Sequence, residues 1–127
     1  MIALRAALVG GMLAVLAAAC SGGGSAASAS APPDADLVVE SVDMAFDTDT
    51  ITLTAGEPTT VFYRNLDGEP HNIAIYADES ASEQLFVGET ITDDAVTYEI
   101  PVLEPGEYFF RCDVHPDMNG TVIAEEG

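Results

Sequence analysis

The stretch Tyr108-Phe109-Phe110-Arg111-Cys112-Asp113-Val114-His115-Pro116-Asp117-Met118-Asn119-Gly120 decides the reading of this chain. It opens as an apolar, aromatic strand and closes on Asn-Gly, a strong turn signal. Between the two, a thiol, an imidazole and a thioether fall within seven residues, spaced Cys-x2-His-x2-Met. Three such donors in one short loop at a strand end are placed to converge. The chain has one other histidine, His71, 41 residues before Cys112, in Glu69-Pro70-His71-Asn72.

Outward from that loop, the chain from Leu37 onward is a series of short runs separated by turn residues. Candidate strands are Leu37–Phe46, Thr50–Thr54, Thr59–Asn65, Asn72–Tyr76, Leu85–Glu89, Ala95–Ile100, Gly106–Cys112 and Thr121–Ala124. The breaks fall at Ala55-Gly56-Glu57-Pro58, Asp67-Gly68-Glu69-Pro70, Glu104-Pro105-Gly106 and Asn119-Gly120. Ile51-Thr52-Leu53 and Val61-Phe62-Tyr63 alternate, and Thr, Val, Ile and aromatics dominate the runs, as strands require. Ala77 to Gln84 is a surface loop or a single helical turn. The class is all-β, a sandwich or barrel with no internal repeat. Tyr63, Tyr76, Tyr98, Phe62, Phe86, Phe109 and Phe110 are expected as core or edge aromatics, and Met44, beside Phe46, as core.

The 127 residues carry 22 carboxylates against three arginines, a net charge of −19. All the carboxylates lie at or after Asp34. Such a surface excludes nucleic acid, whose phosphates require Lys and Arg. It is repelled by anionic lipid, so membrane attachment has to be covalent. A docking partner would present a basic face. Solubility or a high-salt habitat accounts for the charge equally well.

The first 19 residues resemble a bacterial lipoprotein signal: Arg5, an apolar run from Ala6 to Ala19, then Cys20. The run is shorter than the ~20 residues that span a bilayer. Ala17 stands where a leucine is preferred, with Leu16 one place early. The expectation is lipidation at Cys20; cleavage after Ala17 to Ala19 without lipid is the alternative. Residues 20–36 then form a flexible linker, of which residues 21–36 reach roughly 20–25 Å if coil-like. One domain follows, 37–127. With Cys20 lipidated, Cys112 has no disulfide partner, which in an exported chain points to a reactive or metal-bound thiol.

One thiolate, two imidazoles and a weak thioether form the donor set that suits a type 1 copper ion. Cys112, His115, Met118 and His71 supply it. A thiolate with two imidazoles could also hold zinc. Two histidines cannot furnish a second, histidine-rich copper cluster, so no enzyme activity is expected.

The arrangement resembles the cupredoxin family of small blue copper proteins, and within it the amicyanin- and plastocyanin-like members. The resemblance covers about residues 37 to 127 and rests on Cys112-x2-His115-x2-Met118, the aromatic strand before it and Gly120-Thr121-Val122-Ile123-Ala124 after it. It implies an eight-stranded Greek-key sandwich with one copper at one end. It makes His71, Cys112 and His115 equatorial ligands and Met118 axial, with Asn72 tying the two ligand loops together. His115, framed by Val114 and Pro116, becomes the port for electrons, able to protonate and leave reduced copper. Asp113 and Asp117 depart from the pattern and are expected to set negative charge beside the metal, lowering its potential. The implied function is one-electron transfer between redox partners at the outer face of the cytoplasmic membrane or in the periplasm, by a monomer. Storage, resistance or delivery of copper to an oxidase is the alternative.

Overall fold

Nine strands build the domain in the computed structural model, which describes residues 29–127. They are β1 (Leu37–Val42), β2 (Ala45–Phe46), β3 (Thr50–Thr54), β4 (Thr59–Asn65), β5 (Ala74–Tyr76), β6 (Gln84–Val87), β7 (Asp94–Ile100), β8 (Gly106–Arg111) and β9 (Asn119–Glu125). One sheet runs β2-β1-β4-β7 and the other β3-β9-β8-β5-β6. Pairs β1·β4 and β3·β9 are parallel and the rest antiparallel. The all-β expectation holds, and no helix occurs among the described residues. The signal segment and Cys20 lie outside them.

There are nine strands rather than eight because the predicted Leu37–Phe46 strand folds on itself. Val42 pairs with Ala45 across a two-residue turn, Asp43-Met44, with φ of 53° and 61°. Positive φ at both central residues is the type I′ signature, which matches the twist of a hairpin. Neither residue is glycine, and methionine in this region is strained. The turn survives because both its N–H groups donate to the Asp67 carboxylate, at 2.8 and 3.1 Å. Met44 is consequently 44% exposed at the turn tip, not in the core as its neighbour Phe46 suggested.

The inward faces bury Val61, Tyr63, Ile75, Ile100, Phe110 and Val122 among others. Aromatic rings cross this core in a file, Phe86–Tyr98–Tyr63–Phe46–Phe110, with successive centroids 5.4 to 6.3 Å apart. Both tyrosine hydroxyls are satisfied: Tyr63 with Ser41 Oγ at 2.6 Å, and Tyr98 donating to Glu89 O at 2.6 Å. Burial drives both phenols well above their ordinary pKa. Gly120 is needed for close approach rather than for a turn. It sits opposite Phe110 in the β8·β9 ladder, where a Cβ would fall 2.6 Å from the phenyl ring.

Strand polarity then fixes the site. β4 ends at Asn65 and runs into the loop carrying His71, while β8 ends at Arg111 and runs into Cys112–Met118 before β9 returns. Those loops meet at the same end of the sandwich.

Candidate metal centre

The structure brings His71, Cys112 and His115 together. Their ligand atoms all lie within 4.8 Å of one another. His71 Nδ1 is 3.1 Å from His115 Nδ1 and 3.8 Å from Cys112 Sγ. Metal–imidazole and metal–thiolate bonds are about 2.0–2.3 Å, so donors at these separations surround one ion of ordinary size. His71 and Cys112 are fully buried, His115 is half-buried and Met118 is buried. The loop is closed on itself: Cys112 N donates to Met118 O and Met118 N to His115 O, both at 2.9 Å. That holds Cys112, His115 and Met118 in one turn.

His71 is fixed three ways. Its N–H and C=O pair with Ile91 O and N, both at 3.0 Å. Its Nε2 bonds Asp67 Oδ2 at 2.9 Å. A carboxylate only accepts, so Nε2 carries the proton and Nδ1 is left as the donor atom. Desolvation would raise the Asp67 carboxyl, but bonds from Met44 N, the His71 ring and Asp43 N outweigh it and hold it below the usual range. Asn65, at the end of β4, is buried with all four amide bonds made. Its Nδ2 donates to Glu69 O and Ile91 O at 2.8 and 2.7 Å, and its Oδ1 accepts from Asp67 N and Ser41 Oγ at 2.9 and 3.2 Å. Sequence reasoning missed Asp67 and Asn65. An acid four residues before a histidine says nothing in a loop, and a strand-end asparagine looks like any turn residue.

Asn72 does tie the two loops, its Oδ1 accepting from Asp113 N at 2.9 Å and its Nδ2 donating to Gly88 O at 3.0 Å. The Asp113 side chain corrects the expectation of free charge beside the metal. Its Oδ1 accepts from Tyr76 Oη at 2.5 Å and Arg111 Nε at 3.1 Å, and the guanidinium lies 4.8 Å from the Tyr76 ring centroid. Asp113 in turn raises the Arg111 pKa. Asp117 stays exposed, as do Val114 and Pro116 on either side of His115.

A two-sheet β-sandwich gathering at one end two imidazoles and a buried thiol, unpaired among the described residues, defines a small metalloprotein of the copper-binding kind. The chain belongs to the cupredoxin-like family, whose domain model matches residues 11–124. It is 39% identical to amicyanin from Paracoccus versutus over 92 residues, 72% of this chain and 67% of that protein. Plastocyanin A/B from Petroselinum crispum is 33% identical over 57% of this chain and 76% of its own length. The solved structure of Paracoccus versutus amicyanin superposes with a TM-score of 0.58 at 38% identity, covering 80% of this chain and 89% of that one. Auracyanin from Roseiflexus castenholzii, at 18% identity and a TM-score of 0.62, covers 70% of this chain and 95% of its own and shares the fold. Copper is the cofactor, and the His71, Cys112 and His115 group present here fits it.

Proposed function

We propose that this chain is a type 1 copper protein that passes single electrons between redox partners at the outer face of the membrane, anchored by lipid on Cys20. The observation that carries this reading is the convergence of Cys112, His71 and His115 around a buried thiol with no disulfide partner among the described residues. Bound copper supplies the one-electron couple between +1 and +2. Cys112 gives it a thiolate, His71 and His115 present Nδ1, and the Met118 thioether, buried in the same loop, is the weak fourth donor. His71 and Cys112 shut the ion off from solvent. His115 is the half-exposed member, so charge enters and leaves through its ring, between Val114 and Pro116.

Nothing in this role makes or breaks a bond of a substrate, and the protein is a carrier rather than an enzyme. Both arginines of the described domain are engaged, Arg64 with Glu40 and Arg111 with Asp113. The surface therefore offers a partner uncompensated carboxylates, and the partner is a redox protein with a basic face. The chain acts as a monomer.

Copper(II) titration tests the centre. An intense visible thiolate-to-copper absorption, lost in Cys112→Ser, and reversible voltammetry with retained metal are expected. A colourless complex would sink the type 1 assignment, and rapid loss of copper to an acceptor protein would favour copper delivery instead. Incorporation of labelled fatty acid, abolished by Cys20→Ser, tests the anchor.

A further inference from the structure

Residues 29–36 read in the sequence as the end of a linker, yet they are held to β4 at two points. Asp36 N donates to Thr60 O at 2.9 Å and Thr60 N to Asp36 Oδ2 at 2.8 Å. The chain reverses just before this, Ala35 N donating to Pro32 O at 3.2 Å, with Pro33 where its fixed φ suits a turn. Four residues along β4 from Thr60, Arg64 Nη1 donates to Ala29 O at 2.8 Å. The same guanidinium holds Glu40 through Nε and Nη2 at 2.8 and 2.6 Å. Thr60, Phe62 and Arg64 alternate along the strand and share the face turned away from the core. Phe62 lies between the two attachments. It is only 6% exposed, although it belongs to the outer face and its cross-strand neighbours Val38 and Thr97 are exposed.

We propose that residues 29–36 are a strap over Phe62, so that the tether leaves the domain beside Arg64 and holds the His115 end towards a redox partner seated in the same membrane. The membrane half rests on the anchoring at Cys20 proposed above. Arg64 is one residue from Asn65, whose amide grips the His71 loop. Without the strap the chain would leave at Leu37, which pairs with Val61, about 10 Å further from the metal end along β4. The strap also shortens the leash. Nine residues from Cys20 to Ala29 span at most about 30 Å, against roughly 60 Å for the seventeen to Leu37. Anionic head groups repel the acidic domain, so a basic protein rather than the lipid surface receives it.

The strap is tested without lipid, in copper-loaded full-length Cys20→Ser, where Cys112 is ligated and a nitroxide is attached through Ser28→Cys. Pulsed electron resonance should give one narrow copper–nitroxide distance that broadens and lengthens by about 10 Å in Arg64→Ala. A broad distribution unchanged by Arg64→Ala would overturn the strap. The orientation is tested with the lipidated chain on phosphatidylcholine vesicles, by stopped-flow oxidation with a soluble cobalt complex. Several-fold slower oxidation than for Cys20→Ser is expected, with most of the rate regained in lipidated Arg64→Ala. Equal rates in all three would overturn the membrane-facing orientation. Failure of the parent chain to partition into vesicles would overturn the anchoring, and with it the orientation, while the distance measurement still decides the strap.

Discussion

Asp67 Oδ2 accepts a hydrogen bond from His71 Nε2 at 2.9 Å, and the same oxygen accepts from Met44 N at 3.1 Å. The left-handed Asp43-Met44 turn thus forms a small cradle of N–H groups for the carboxylate that orients a metal ligand. Charge and orientation act in the same direction here. A carboxylate behind the imidazole makes Nδ1 a better donor, which favours Cu(II) over Cu(I). Asp67→Ala should weaken copper binding by about 10–100-fold. Its reduction potential should rise, by about 60 mV for each tenfold loss of preference for Cu(II). Voltammetry beside a copper-competition assay checks both, and an unchanged potential would reduce Asp67 to a turn-holding role.

The same carboxylate sets a pH dependence in the metal-free protein. Its pKa is depressed in the fold, so its stabilisation is present above the ordinary carboxylate value of about 4 and is lost as pH falls through the depressed one. Denaturant unfolding should find the apo-protein more stable than apo Asp67→Asn at pH 6, by about 1–2 kcal/mol. That gap should be smaller at an acid pH below the depressed value of Asp67. A gap of the same size at both values would mean that charge plays no part.

Asn65 carries a separate prediction, because its amide has no spare capacity. It joins β1, the His71 loop and the segment at Ile91, and each of its four bonds is made inside the protein. Replacing it with leucine strands Glu69 O and Asp67 N and leaves Ile91 O with His71 N as its partner. Asn65→Leu should cost about 2–4 kcal/mol in unfolding experiments. The first ligand loop should loosen as well, broadening the Cu(II) resonance lines and slowing electron self-exchange measured by NMR. A merely structural loss would lower the midpoint and leave the exchange rate of the folded protein alone.

These residues show which parts of the molecule the sequence could reveal. Cys112, His115 and Met118 sit within one loop, and the strands announce themselves by alternation, so both were legible as local pattern. Asn72 was legible through the family resemblance alone. Asp67 and Asn65 act through partners 23 to 26 residues away in the chain, on turns whose geometry no spacing records. Met44 was misplaced for the same reason. A hairpin with two left-handed, non-glycine residues is improbable by local preference and exists because a distant carboxylate holds it. Phe62 was expected as a core or edge aromatic, and it is buried although alternation puts it on the outer face of β4.

Arg111 and Asp113 were both visible, one as the last residue of β8 and the other two places on in the ligand loop; the pairing was what went unread. Beside the Cys112 thiolate this pair is electrically neutral, and Tyr76 completes it by donating to the same Asp113 oxygen. Removing the cation alone therefore uncovers a carboxylate one residue from the sulfur. Arg111→Gln should favour Cu(II) and lower the potential. Asp113→Asn should raise it, and the double substitution should return it close to the starting value. Because both groups are only partly buried, the shifts should shrink as salt is raised from about 0.01 to 1 M, where the screening length falls from about 30 to 3 Å. Voltammetry of the four proteins across that range decides the matter, and equal potentials throughout would show that the Arg111–Asp113 pair leaves the couple untouched.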